Sequence, residues 1–321
     1  MSSRKKLVVP ERTHEKYDRL IALAKTMPAV SAAVAYPCDE ASLAGAMEAA
    51  EAGLIVPILV GPKSTIEVVA AKFGIDLGGA EIVDVSHSQE AAIKAVEIVR
   101  AGRAEVLMKG SLHSDELLSA VAKKDTGLRT GRRISHVFIM DVPDHPQTLF
   151  ITDAAVNIFP DLMAKRDIVQ NAIDLFQGLG LGTPKVAILS AVETVTVSIP
   201  STLEAAALCK MADRGQITGG ILDGPLAFDN AISPEAAKIK GIKSDVAGRA
   251  DILVVPDLEA GNMLAKNLSF LSHADAAGIV LGARVPIILT SRADNVRTRM
   301  ASCAVAVAFA HSQRTKTPIR S

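Results

Sequence analysis

Tryptophan is absent from this 321-residue chain, and the other aromatics amount to two tyrosines and eight phenylalanines. So sparse a set of flat side chains argues against a stacking platform for single-stranded nucleic acid. An excess of either charge is also missing. Lys+Arg and Asp+Glu both number 35, so no global field directs the protein to nucleic acid or to an anionic membrane. Cysteine is scarce: Cys38, Cys209 and Cys303 stand alone in apolar surroundings, with no CxxC spacing. That excludes a zinc ribbon or disulfide framework and points to buried structural thiols. No apolar run reaches the roughly 20 residues a bilayer demands. The basic start, Met1-Ser2-Ser3-Arg4-Lys5-Lys6, is followed only by Leu7-Val8-Val9 before Pro10, which is too short for a signal peptide core. A cytoplasmic protein is expected. Neither a GxSxG elbow nor a GxxxxGK[ST] loop occurs, which disfavours a hydrolase and a nucleotide kinase. His113, His136, His145 and His273 are scattered and are expected to be structural.

What remains is an ordinary globular composition, 49% hydrophobic and 22% charged, in a chain long enough for about two domains. Short Val/Ile/Leu runs recur between longer Ala-rich amphipathic stretches. Strands are expected at 32–35, 54–60, 81–85, 106–108, 136–141, 149–152, 186–189, 220–223, 252–255 and 286–290. Helices are expected at 39–52, 64–73, 89–101, 115–123, 161–178, 201–214 and 261–270, with a further apolar stretch from Met300 to Ala310. Asp39, Ser64 and Asp161 read as N-caps, and Gly53, Gly74 and Gly102 as helix ends. Most of the strands are continuously apolar, as in parallel sheets covered on both faces. Strand–helix alternation along the whole chain implies an α/β fold. The turn-rich link Pro143-Asp144-His145-Pro146-Gln147 has no room for a helix and predicts a hairpin. Domain boundaries are placed in the polar stretch before 134 and near 278–284.

Ligands of open α/β proteins bind beyond the carboxyl ends of strands, and polar residues gather at four such ends. Lys109-Gly110-Ser111 follows the run 106–108; its alternatives are an anion site or a plain surface turn. Asp223-Gly224-Pro225-Leu226 follows 220–222, and Asp257-Leu258-Glu259-Ala260-Gly261-Asn262 follows 254–256. These carboxylates cap helices or serve chemistry, and both loops should open on one sheet edge. A metal site has little support, because no His or third carboxylate stands at ligand spacing. Last, Val285-Pro286-Ile287-Ile288-Leu289-Thr290 runs into Ser291-Arg292-Ala293-Asp294-Asn295 before the apolar helix. There a hydroxyl, a guanidinium and free helix N–H groups can converge on one anion.

These loops, together with Thr152-Asp153-Ala154-Ala155-Val156-Asn157, resemble in sequence and order the motifs of the phosphate acetyl/butyryltransferase family, over roughly residues 100 to 310. The Lys109-Gly110, Gly224-Pro225-Leu226 and Ser291-Arg292-Ala293-Asp294 wording is closer to the phosphate butyryltransferase branch. The resemblance implies reversible acyl transfer: acyl-CoA + phosphate gives CoA + acyl phosphate. It implies two α/β/α domains, each with a mostly parallel sheet, related to the isocitrate/isopropylmalate dehydrogenases, with a cleft between them. One domain would comprise residues 1–130 plus 280–321 and the other 131–279. A homodimer is implied, with CoA as a substrate and no metal or other cofactor. Arg292 would bind phosphate or acyl phosphate, and Ser291 would hydrogen-bond the CoA sulfur. The acetyl branch carries a carboxylate base two helical turns beyond that serine, where this chain has Thr298; Asp294 is the substitute, with Asp257 and Glu259 behind it. A second arginine of the acetyl branch is replaced near Leu118-Ser119, and Lys109 stands in for its charge. Lys109, Gly110, Ser111, Asp223, Asp257, Glu259, Asn262 and Thr290 are the expected substrate-binding residues. The rival readings are an NAD- and metal-dependent dehydrogenase of the related fold and a non-catalytic CoA- or acyl-phosphate-binding protein.

Overall fold

The computed structural model describes residues 15–289 and 295–314. After α1 (Glu15–Lys25), strands β1 (Val30–Ala35), β2 (Ile55–Gly61), β3 (Glu81–Asp84) and β4 (Val106–Lys109) alternate with α2 (Glu40–Glu51), α3 (Lys63–Phe73), α4 (Ser88–Arg100) and α5 (Ser114–Ala122). The hairpin strands β5 (Ser135–Asp141) and β6 (Leu149–Thr152) come next. They lead into α6 (Leu162–Gly178), β7 (Lys185–Leu189), α7 (Pro200–Asp213) and β8 (Ile221–Leu226). Short α8 (Phe228–Ile232) and α9 (Pro234–Ile239) precede β9 (Ile252–Val254), α10 (Leu258–Leu271), β10 (Asp275–Leu281), β11 (Ile287–Ile288) and α11 (Val296–Arg314).

Local chemistry sets most of these boundaries. Asp39 and Asp161 cap α2 and α6 by accepting from Ser42 N at 2.9 Å and Ala164 N at 2.8 Å. Gly74 closes α3 in the left-handed conformation. Ser64 is not the cap of α3: the helix starts one residue earlier behind Pro62, whose fixed φ suits an N-terminus. The sequence reading also missed β10. Its Asp-Ala-Ala-Gly start lacks the β-branched density of the other strands, and hydrogen bonding on both edges makes it a strand.

The strands form one 11-stranded sheet in the order β3-β2-β1-β4-β11-β10-β5-β6-β9-β7-β8. This corrects the expectation of a separate sheet in each half. β10 pairs antiparallel with both β11 and β5, and β5 pairs antiparallel with β6, so the ladder passes from one half to the other without an edge. The flanking groups β3-β2-β1-β4-β11 and β6-β9-β7-β8 are parallel within themselves and run in opposite directions.

The two faces of the sheet are covered differently. On one face a single apolar core runs from Leu43 and Leu59 through Val137 and Ile279 to Val186 and Leu208. Helix α11 closes it at the centre; Ala301 to Ala310 are all buried, as expected of a helix apolar all round. Tyr17 pins this side: its hydroxyl donates to Ile139 O at 2.5 Å and accepts from Ala277 N at 2.6 Å, tying α1 to β5 and β10. The opposite face carries two separate cores, one around Leu107, Leu117 and Val280 and one around Ile151, Leu253 and Val255. Between them no helix among the described residues fills the face, and β5 and β10 form the floor of a cleft.

Candidate active site

The cleft has a volume of about 690 Å³, within the range of small-molecule sites. Its floor is His136 and Phe138 of β5 with Ala276 and Gly278 of β10. These are alternate residues, so they share the face opposite Val137, Ile139, Ala277 and Ile279, which lie in the continuous core. One wall is the end of β4 and the start of α5, where Lys109, Leu112, His113 and Ser114 line the cleft; Gly110 and Ser111, expected to bind substrate, are not among the lining residues. The other is a stripe of α10, Asn262, Ala265, Lys266, Ser269 and Phe270, spaced three and four residues apart as one helical face requires. Ala155, Ala274, Asp275, Leu289, Asn295 and Thr298 complete the described lining.

Lys109 ends β4 and is 7% exposed. Its Nζ donates to Gly110 O and Leu112 O, both at 3.1 Å, which fixes the cation at the wall. Gly110 is required by a close approach: a Cβ there would stand 2.4 Å from Tyr36 O and 2.5 Å from Ala35 O. The neighbour that demands the glycine is the end of β1, to which Gly110 N donates at 2.8 Å. Ser111 is drawn to the same strand end, donating to Tyr36 O at 2.9 Å and accepting from Cys38 N at 3.3 Å.

Asn262 donates to Ala154 O at 3.3 Å and lines the cleft. Asp257 and Glu259 are not among the lining residues. Asp257 caps α10 by accepting from Ala260 N at 2.8 Å, and Glu259 is exposed. Asp223 is also outside the lining. It lies within β8, the last strand of the sheet, and accepts from Gly224 N at 2.8 Å. The loops after β8 and β9 open in the same direction, as expected. Strand β4 runs oppositely, but Met108 is in register with Val254 through Ile288, Ile279, Val137 and Thr152, so Lys109 lies level with the end of β9 and shares the cleft. Thr290, Ser291, Arg292 and Asp294 lie outside the described residues, as does Ala293.

Asp153 organises the loop beyond β6. It accepts from Ala155 N and Val156 N at 3.0 Å, from Asn157 N at 3.2 Å and from Asn157 Nδ2 at 2.6 Å. Burial pushes its carboxyl above the usual carboxylate range, while these hydrogen bonds oppose the rise. The loop so formed presents Ala155 to the cleft.

Asp275 and Lys266 line the cleft although the sequence did not single them out, and His136, expected to be structural, lines it as well. Asp275 begins the missed strand β10 and is the carboxylate among the described lining residues; Asn295 Nδ2 lies 3.4 Å from its Oδ1. Asn295 in turn caps the start of α11, its Oδ1 accepting from Thr298 N at 2.8 Å. His136 is 2% exposed, and burial pushes its imidazole down to about 3, so the ring is neutral. Lys266 follows from the α10 stripe, a signal already present in the spacing of residues 262 to 270. The thiols are poor nucleophiles here. Burial raises Cys38 to about 11 and Cys209 and Cys303 to about 12, although only Cys303 is fully buried. Among the described residues no cluster of three or more His, Cys, Asp or Glu is arranged to hold a metal ion. Nor is any described helix long and apolar enough to cross a membrane.

The family model described as phosphate acetyl/butaryl transferase matches residues 86–307, which include both cleft walls, the floor and the start of α11. The chain belongs to this family. Its similarity to other phosphate acetyl/butyryltransferases extends over nearly its full length. It is 72% identical over 299 residues to a phosphate acetyltransferase of Rhizobium meliloti, covering 93% of this chain and 95% of that one. It is 42% identical over 296 residues to a phosphate butyryltransferase of Clostridium beijerinckii, covering 92% and 98%. Among solved structures, a branched-chain phosphotransacylase from Enterococcus faecalis superposes with a TM-score of 0.78 at 30% identity, covering 88% of this chain and 99% of the other.

Proposed function

We propose that the cleft binds an acyl-CoA and inorganic phosphate together and transfers the acyl group between them. The chain is an acyltransferase of the phosphate acetyl/butyryltransferase family. The observation that carries the assignment to this cleft is that Lys109, Asn262 and the two residues bracketing the Thr290–Asp294 segment, Leu289 and Asn295, all line it.

In the transfer a phosphate oxygen forms a bond to the thioester carbonyl carbon, the C–S bond breaks, and the electron pair leaves with sulfur. Phosphate must be held against its own charge, a task for Arg292 with Lys109 behind it. Ser291 donates to the sulfur as it gains charge. In the reverse direction the CoA thiol must lose a proton. Asp294 is the acceptor expected from the sequence, and Asp275, joined to Thr298 through Asn295, supplies a carboxylate on the cleft wall. Holding both reactants in one cleft supplies much of the rate, with no acyl-enzyme required. Lys266, exposed on α10, suits the phosphates of CoA. No metal or resident cofactor is needed in this scheme, since the cations are side chains.

We read the chain as two lobes on one sheet, residues 1–130 with 280–321 and residues 131–279, with the cleft between them. The pairing of β11 with β4 supports the return of the last segment to the first lobe. A dehydrogenase-like relationship, a homodimer and a cytoplasmic location complete the reading. It is tested by phosphate-dependent release of CoA thiol from acetyl-, propionyl-, butyryl- or valeryl-CoA. Absence of release with all of them would sink it.

A further inference from the structure

The floor of the cleft differs from its walls. Lys109, Asn262, Lys266, Asp275 and Asn295 make the walls polar, whereas the floor is an aromatic pair set among small residues. His136 and Phe138 meet edge to face, with ring centroids 4.3 Å apart and planes at 68°. Gly278 leaves room for the imidazole: a Cβ there would stand 2.8 Å from His136 Nε2. The His136 Nδ1 is buried and has no hydrogen-bond partner among the described residues. A buried polar atom left unpaired costs free energy, so a residue that persists there needs a reason beyond hydrogen bonding. Its ring fills space on a floor that would otherwise be lined by Phe138, Ala276 and Gly278.

We propose that the His136 ring, wedged between Phe138 and Gly278, is the stop against which the acyl tail of the substrate rests, and that it limits the chain length accepted. An acyl-CoA brings one short apolar tail into a cleft with polar walls, and desolvating that tail favours the apolar floor. The carbonyl then faces the walls, where Lys109 and Asn295 stand. A packed ring at the end of the tail penalises each added methylene by overlap, the kind of contact that sets specificity between homologous substrates. The proposal deepens the acyltransferase reading and rests on it.

The test is a series of kcat/KM values for acetyl-, propionyl-, butyryl- and valeryl-CoA at saturating phosphate, for the wild type and the variants H136A, H136F and G278A. H136A removes the stop, so its butyryl-to-acetyl ratio should rise about tenfold or more, the scale on which one or two methylenes are discriminated. H136F keeps a ring and discards both nitrogens, and should retain the wild-type preference. G278A drives a methyl group toward the ring and narrows the floor, so activity on the longer chains should fall first. The G278A readout stands even where H136A fails to fold. An unchanged length profile in active H136A and G278A would overturn the proposal, and so would an H136F profile that shifts as H136A does. Wild-type inactivity on every acyl-CoA would instead remove the acyltransferase reading itself.

Discussion

Asn295 Nδ2 lies 3.4 Å from Asp275 Oδ1, so the residue that caps α11 also faces the first residue of β10. Both line the cleft together with Thr298, which stands where the family resemblance implies a base. A carboxylate contributed by the sheet is thus linked through Asn295 to the position at which the helix offers only a hydroxyl. Replacing Asp275 by Asn keeps the shape and removes the proton acceptor. We expect kcat for acyl phosphate plus CoA to fall by about 10²-fold or more, the usual contribution of a positioned general base. A parallel D294N variant apportions the role. A D275N enzyme with full kcat would assign the proton transfer elsewhere.

Arg292 is the guanidinium of the Ser291–Asp294 motif. Arg292→Ala should raise the KM for phosphate strongly while leaving the KM for acyl-CoA much less affected, because a bidentate anion contact is lost. Initial rates across a phosphate titration measure this. An unchanged phosphate KM removes Arg292 from that role.

His136 makes stability depend on pH. An ordinary imidazole titrates near 6.5, and in the folded protein burial pushes this one down to about 3. Between those values the unfolded chain binds a proton that the folded chain refuses, so stability rises with pH. The contribution is complete above about 6.5 and is lost progressively as pH falls toward 3. From pH 7 to pH 5 the wild type should lose about 2 kcal/mol relative to H136F, by proton linkage. Denaturant unfolding of both proteins at the two pH values checks this, and equal differences would contradict it.

Gly110 tests whether the Lys109 turn is built around β1. A methyl group there would fall 2.4 Å from Tyr36 O, against backbone that has little freedom to retreat. Gly110→Ala should therefore destabilise by about 1–3 kcal/mol or more, as overpacking does. Thermal melts report the loss. A variant as stable as the wild type would mean that the β1 and β4 ends separate readily.

Most elements were legible in the sequence, because period, caps and glycines are local. The hairpin at 143–147 appears as expected, with Met140 opposite Leu149. Strand β10 was not legible, since its small residues become a strand only when β5 and β11 pair with it. The site divides in the same way. Lys109 and Asn262 reach the cleft from the end of β4 and from α10, in stretches that the sequence singled out. Asp257 and Asp223 come from loops with equally good patterns, yet one caps a helix and the other lies in the last strand of the sheet. A carboxylate at a strand end looks the same in sequence whether it faces a ligand or its own backbone.

The sequence by itself determined the α/β alternation, the absence of metal-ligand spacing and the order of the five motifs that place the chain in its family. These rest on local propensity and residue identity, which survive without knowledge of neighbours. Only the tertiary structure decided that the two halves share one sheet, that its one face is sealed by α11 while the other stays open, and that Asp275 and His136 stand in the opening. Those facts depend on strand order and direction. The antiparallel pairs at β10 and β5 bring residues more than a hundred positions apart to the same floor, and no local pattern records that pairing.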